Sequence, residues 1–435
     1  MHEAEVHALA REAQAAFPAW SRGPVAARAA ALNGIADELH TRAEEVSRLV
    51  TREVGKPISE SRAEVSRAAA IWRYYSQMAL GPDGDTFPSA DGNSWLMARR
   101  YALGVCALVT PWNFPVAIPS WKAAPALAYG NAVILKPASA ATSTARLLHE
   151  IAIRHLPPAV FQIAPGGGDT GQGLLKHPDV QAISFTGSTG IGRMIARDAL
   201  ERGVRFQCEM GGQNPSVVLA DADLDRAAST IAYAAMGYAG QKCTATSRVI
   251  VEASVFGEMR DRLVAAVEGL QIKDPFDESC QVGPLINDGA RLDALTAVRE
   301  SEGRVITGAK PLPYDGFFMA PTLVEIEDTR SFLAQEEVFA PVAVLIEAES
   351  PEHGIDIANG VKYGLVASVF TRDLERAMTL IDRLHAGLVR VNAPTSGVDF
   401  NAPFGGVKDS GIGPREQGLA ARDFYTETRT LLVSP

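Results

Sequence analysis

The feature that most constrains this chain is an alternation. Between residues 105 and 391, short β-rich runs are separated by stretches with helical character. Val105–Val109, Ala132–Leu135, Val160–Ile163 and Ala182–Phe185 form one set. Ser216–Leu219, Ser247–Val251, Val342–Leu345, Ala367–Phe370 and Gly387–Val391 form a second. Neighbouring parallel strands need a crossover long enough to hold a helix, so the pattern predicts parallel sheets with crossover helices. The length of 435 residues allows two or three domain-sized units. Two α/β units are predicted, with a boundary near Gly211–Gly212. Residues 1–80 read as helices, because apolar residues recur at three and four in stretches such as Ala29–Val50. Residues 81–92 are turn-forming. Residues 94–109 read as a hairpin or extended arm running into a buried strand, and Arg429–Val433 as a short β-prone tail.

Charge removes several function classes. The net charge of −10 opposes a nucleic-acid or anionic-membrane partner, which needs clustered Lys and Arg. No apolar run is long enough to span a bilayer, and the first residues carry acids rather than a secretory core. A cytoplasmic location is the resulting expectation. Cys106, Cys208, Cys243 and Cys280 are too scattered for a disulfide framework, and no Cys/His cluster has metal-site spacing. Each cysteine is then either a small buried apolar residue or a reactive thiol.

Four segments carry candidate chemistry, and each has a plain structural alternative. Pro111–Pro115 (PWNFP) follows a predicted strand and precedes a helix, where α/β sheets bind ligands. Asn113 there either aims an amide at a developing negative charge or caps the next helix. Phe185–Gly192 (FTGSTGIG) also joins a strand to a helix. Gly187 and Gly190 permit close backbone approach, and the helix start favours a phosphate; a plain turn fits equally. Cys208–Pro215 (CEMGGQNP) puts Glu209 at the presumed junction. A carboxylate in such a crevice is either a general base or a capping residue. Gly240–Arg248 (GQKCTATSR) surrounds Cys243 with small residues, which leave room for a substrate at the thiol. Its alternative is a structural cysteine.

Taken in order, PWNFP, Lys136-Pro137, FTGSTGIG, EMGGQNP, GQKCTATSR, QEEVFAP and NAPFGGVKDSG resemble the NAD(P)-dependent aldehyde dehydrogenase superfamily over essentially the whole chain. The resemblance implies a Rossmann-like dinucleotide-binding domain over residues 1–92 and 105–210. It implies a catalytic α/β domain over 211–420 and a small β oligomerisation arm from 93–104 and 421–435. Cys243 would be the nucleophile, Glu209 the base for the deacylating water, and Asn113 an oxyanion donor together with the Cys243 amide. Ser188 would meet the cofactor pyrophosphate, with Gly187 beside it. Lys136 would bind the adenosine ribose and Glu337 the nicotinamide ribose. Trp112, Gly211 and Phe339 would line the cofactor crevice. No metal is implied.

Two departures bear on specificity. Many NAD-preferring relatives carry a Glu three residues after the lysine; here that position is Ser139, which does not repel a 2′-phosphate. Either NAD or NADP is therefore expected, with NADP accepted. Pro119–Lys122 and Asn392–Gly418 resemble the 2-oxoglutarate semialdehyde dehydrogenase branch. Where the succinate semialdehyde branch tends to carry an Arg, this chain has Trp121, which suggests an apolar or aromatic wall. The expected substrate is an aliphatic aldehyde or semialdehyde, and the expected assembly a homodimer or homotetramer. Two competing readings are an acylating enzyme that resolves the thioester with coenzyme A, and a silent binding protein of the same fold. The first has no use for Glu209. The second has no use for Cys243, Glu209 and Asn113 together.

Overall fold

VCALVT, at Val105–Thr110, is buried along almost its whole length, and it lies inside a sheet. The computed structural model describes every residue from Met1 to Pro435. Five parallel strands run in the spatial order Arg205–Glu209, Val180–Thr186, Val105–Thr110, Ala132–Pro137, Phe161–Ile163. Successive side chains along a strand face opposite sides. Val105 and Ala107 accordingly pack with Val6, Ala10 and Ala13 of the first helix, Glu3–Arg22. Cys106 and Leu108 pack the other way, with Leu32, Val65 and Trp72. Those come from the helices Val25–Thr41 and Ile58–Met78, which with Ala43–Val54 complete the helical first eighty residues.

The second sheet has seven strands. Thr322–Glu325, Val342–Ala348, Thr246–Glu252, Asn214–Val218, Val366–Phe370 and Leu388–Val391 are parallel in that order, and Arg304–Thr307 adds an antiparallel edge. The sequence pattern did not contain Arg205–Glu209, Arg304–Thr307 or Thr322–Glu325. RFQCE lacks an apolar run, and its strand state comes from pairing with Val180–Thr186. Residues 81–92, read as turn, contain the strand Gly84–Phe87, recruited by its neighbour Trp95–Ala102.

Trp95–Ala102 is the centre of a third, three-stranded sheet. It pairs antiparallel with Thr426–Val433 over eight residues, so the arm and the tail are one structure. This sheet is exposed: Trp95 is 73% accessible and Leu432 61%. One late segment joins the two large units. Gly411–Ile412 pairs antiparallel with Cys208–Glu209 at the edge of the first sheet, although it follows the second sheet in sequence. No helix is long and apolar enough to cross a membrane.

Candidate active site

Parallel strands deliver their loops to one end of a sheet. At that end of the first sheet lie Thr110, Trp112, Lys136, Ser139, Thr186 and Ser188. Thr110 and Thr186 are buried, and the hydroxyl of each has no partner. Lys136 is half-buried and bonds to no side chain; burial lowers its pKa. Ser139 is exposed, begins a short 3-10 turn and donates to the Gly166 carbonyl at 3.4 Å. Ser188 is the N-cap of the helix Thr189–Arg202, and its hydroxyl caps nothing. No atom lies within 4 Å of where a Cβ on Gly190 would sit, so the helix start is open. Gly187 is closer: its Cβ would meet the Phe185 ring at 2.6 Å. Orphaned hydroxyls, a free ammonium and an open helix start suit a phosphate-bearing ligand.

The facing wall comes from the second unit. Trp112 packs edge-on against Phe339, with centroids 5.8 Å apart. Phe339 has φ +55°, a left-handed conformation that is costly for a bulky residue and concentrates at functional sites. Glu337, two residues earlier, accepts from the Gly212 N–H at 3.1 Å. Burial pushes its carboxyl up to about 7. The two glycines explain themselves sterically. A Cβ on Gly211 would overlap the Glu337 carboxylate, and one on Gly212 would sit 2.9 Å from the Cys243 carbonyl.

All four cysteines are free, and Cys243 alone is not fully buried. Asn214, missed in the sequence, donates to the carbonyls of Cys243 and Ala245 at 2.8 Å each and so fixes the loop that carries the thiol. The signal for Asn214 was its place in the EMGGQNP motif, not its type. The Cys243 N–H lies against its own sulfur, with no carbonyl partner. Burial, then the nearby carboxyls of Glu337 and Glu209, push the thiol up to about 12. Asn113 does not cap the following helix, whose N-cap is Val116. Its amide donates to the Gln241 carbonyl at 3.0 Å, which ties PWNFP to the cysteine loop. The second amide hydrogen remains available.

Glu209 ends its strand buried, and accepts from the Gly406 N–H at 3.0 Å. No hydrogen bond joins it to Cys243. Burial, reinforced by the Glu416 carboxylate, raises its pKa well above the ordinary range. Glu416 is itself paired with buried Lys122 and accepts from the Trp121 indole at 2.8 Å. A cavity of about 220 Å³ reaches Cys243 past Trp121, Phe114, Phe404 and Val398. Trp121 is thus an aromatic wall, as expected, and it is held in place by Glu416. Two buried ion pairs from the helix Ile58–Met78 brace this cavity. Glu64 pairs with Lys56 and accepts from the Val116 and Ala117 N–H groups at 2.8 and 2.9 Å. Glu60 pairs with Lys242 at 2.8 Å.

A free thiol open to a cavity, a buried carboxyl with a raised pKa and an amide tied to the cysteine loop are the groups a cysteine-dependent oxidoreductase would use. Residues 1–431 match the aldehyde dehydrogenase family. The chain belongs to that family, and its activity is the oxidation of an aldehyde to the acid with a nicotinamide dinucleotide. It is 39% identical to the alpha-ketoglutaric semialdehyde dehydrogenase of Bacillus subtilis strain 168, over 99% of this chain and 90% of that protein. The NAD-dependent aldehyde dehydrogenase of Sinorhizobium meliloti superposes with a TM-score of 0.96 at 31% identity, over 99% of this chain and 87% of that one. An NADP-dependent enzyme of E. coli also gives 0.96, at 32% identity, over 100% and 91%.

Proposed function

We propose that this protein oxidises a small aliphatic semialdehyde to its carboxylic acid, with Cys243 as nucleophile and Glu209 as general base. The carrying observation is the placement of Cys243. It is the one cysteine open to the cavity, and its loop is tied to Asn113 on one side and Asn214 on the other. The semialdehyde preference draws on the Bacillus subtilis relative.

The Cys243 thiol gives its proton to solvent water and the sulfur adds to the aldehyde carbon, giving a tetrahedral thiohemiacetal with its charge on oxygen. The oxygen charge meets the free Asn113 amide hydrogen and the Cys243 N–H, donors already fixed before reaction. In the crevice, a bound nicotinamide dinucleotide supplies the hydride acceptor that no side chain offers. Lys136, Ser139, Gly187 and Ser188 would hold its phosphate and adenosine end. Glu337, Phe339, Trp112 and Gly211 would hold the nicotinamide end. Glu209 takes a proton from the water that attacks the Cys243 thioester, and the acid departs as the carbon–sulfur bond breaks. Glu209 Oε2 accepts from the Gly406 N–H, which leaves Oε1 without a hydrogen bond and free to take that proton. Ser139 carries no charge against a 2′-phosphate, and Lys136 can pair with one, so NADP is accepted beside NAD.

In this reading the first unit, residues 1–92 with 105–210, binds the dinucleotide, and residues 211–420 carry the thiol. The exposed sheet from 93–104 and 421–435 joins subunits into a homodimer or homotetramer. Four unpaired thiols suit a reducing compartment, which we take to be the cytoplasm. The test follows reduced-nicotinamide absorbance with a panel of aldehydes and semialdehydes, each with NAD and with NADP. Turnover with the parent enzyme and none with Cys243→Ala is the expected result. Undiminished turnover in that variant would remove Cys243 from the mechanism.

A further inference from the structure

The cavity leading to Cys243 contains one charge with no partner. Its other lining charges cancel. Glu60 accepts from Lys242 and from the Tyr233 hydroxyl, both at 2.8 Å. Glu64 is paired with Lys56 and capped by two backbone N–H groups. Arg67 projects from the same helix, Ile58–Met78, one turn beyond Glu64. It lines the cavity and is half-buried, yet it makes no ion pair and no hydrogen bond. A half-buried guanidinium with five N–H donors normally finds an acceptor.

A second guanidinium lies nearby, and the Asp399 carboxylate acts on it as well as Arg67. Arg390, half-buried behind the loop that lines the cavity, spends its donors on the carbonyls of Pro394, Ser396 and Gly397. No carboxylate lies within ion-pair distance of it. Arg67 and Arg390 are close enough to repel each other. Ala63 and Gly397, which line the cavity with Arg67, are exposed, whereas Trp121 and Phe404 are buried. The cation therefore stands towards the mouth, and the apolar wall towards the interior. A short aldehyde entering head first would put its tail beside Arg67.

We infer that Arg67 is a specificity-determining residue that binds a carboxylate at the far end of the substrate chain. The substrate class is then an aldehyde carrying a terminal carboxylate. This rests on the semialdehyde oxidation proposed above, and it assigns the anchoring role to a helix remote in sequence from Trp121. Guanidinium pairs a carboxylate through two parallel N–H bonds, which a Lys reproduces only in part.

The experiment compares succinate semialdehyde with butanal, an uncharged aldehyde of equal chain length, in the parent enzyme, Arg67→Met and Arg67→Lys. For Arg67→Met, kcat/KM for succinate semialdehyde is expected to fall about 30-fold or more, mostly through KM, as suits a lost charged hydrogen bond. For butanal it should change less than about threefold. Arg67→Lys should recover part of the loss. Equal losses with both aldehydes would show a merely structural role and overturn the inference, as would an unchanged KM for succinate semialdehyde. A parent enzyme that oxidises butanal but not succinate semialdehyde would overturn it too and leave aldehyde oxidation standing. Turnover of neither would sink the proposed function itself.

Discussion

At the residue scale, burial raises the pKa of both proposed reacting groups. Cys243 is pushed up to about 12, so its thiolate is scarce at neutral pH. Alkylation of Cys243 by iodoacetamide should therefore keep accelerating from pH 7 to 10 without a plateau, because the thiolate is the reacting species. Mass spectrometry of the modified peptide reads this out, and a plateau near pH 7 would contradict it. Glu209 has the complementary property. Its folded pKa is raised, so folding is favoured below the unfolded value and penalised as pH climbs through the folded one. Glu209→Gln stays neutral at every pH. Its Tm should exceed that of the parent above neutral pH and show no such gain at pH 4. The same variant should give a first-turnover burst of reduced cofactor followed by slow steady-state release, since only the deacylating water needs the base.

At the scale of elements, the site depends on a loop that leaves one unit and docks on the other. Gly405 and Gly406 follow the second sheet in sequence, yet they hold Glu209 at the edge of the first. Gly405 has φ +151°, and a Cβ there would overlap Glu209 Oε1. Gly405→Ala is expected to displace the carboxylate and slow steady-state turnover by about tenfold or more while the burst survives. Loss of the burst as well would place the damage at Cys243 instead. Lys122 and Glu416 anchor the same loop from the helix Ala117–Ala128. Breaking a buried pair strands a charge, so Lys122→Met should lower stability by about 3–5 kcal/mol in urea denaturation.

For the whole molecule, the arm sheet exposes apolar surface. Trp95, Leu432 and Val433 are large apolar side chains on an exposed three-stranded sheet. Replacing Leu432 by Asp is expected to shift the native mass by light scattering from oligomer to monomer. A parent protein that already runs as a monomer would refute the proposed assembly. The proposed cofactor crevice belongs to this scale too, because Trp112 of the first unit meets Phe339 of the second. Comparison of kcat/KM for NAD and NADP should show both in use. Restoring the carboxylate with Ser139→Glu should cut the NADP value about tenfold, since the added charge faces the 2′-phosphate.

Much of this was present in the order of residues. Alternating β-rich and helical runs dictate parallel sheets because only a helix-length crossover joins parallel strands. The ordered motifs around Asn113, Glu209 and Cys243 resembled one family, and the match over residues 1–431 bore that out. The sequence could not show the strand Arg205–Glu209, whose polar residues acquire β structure only from a neighbour. Nor could it show that Gly406 holds Glu209, that Asn214 pins the Cys243 carbonyl, or that Arg67 faces the cavity unpaired. Each of these joins residues far apart in the chain. Local propensity and motif spacing report what a segment does by itself. Which charge is cancelled and which is left over is decided only when distant segments share one buried space.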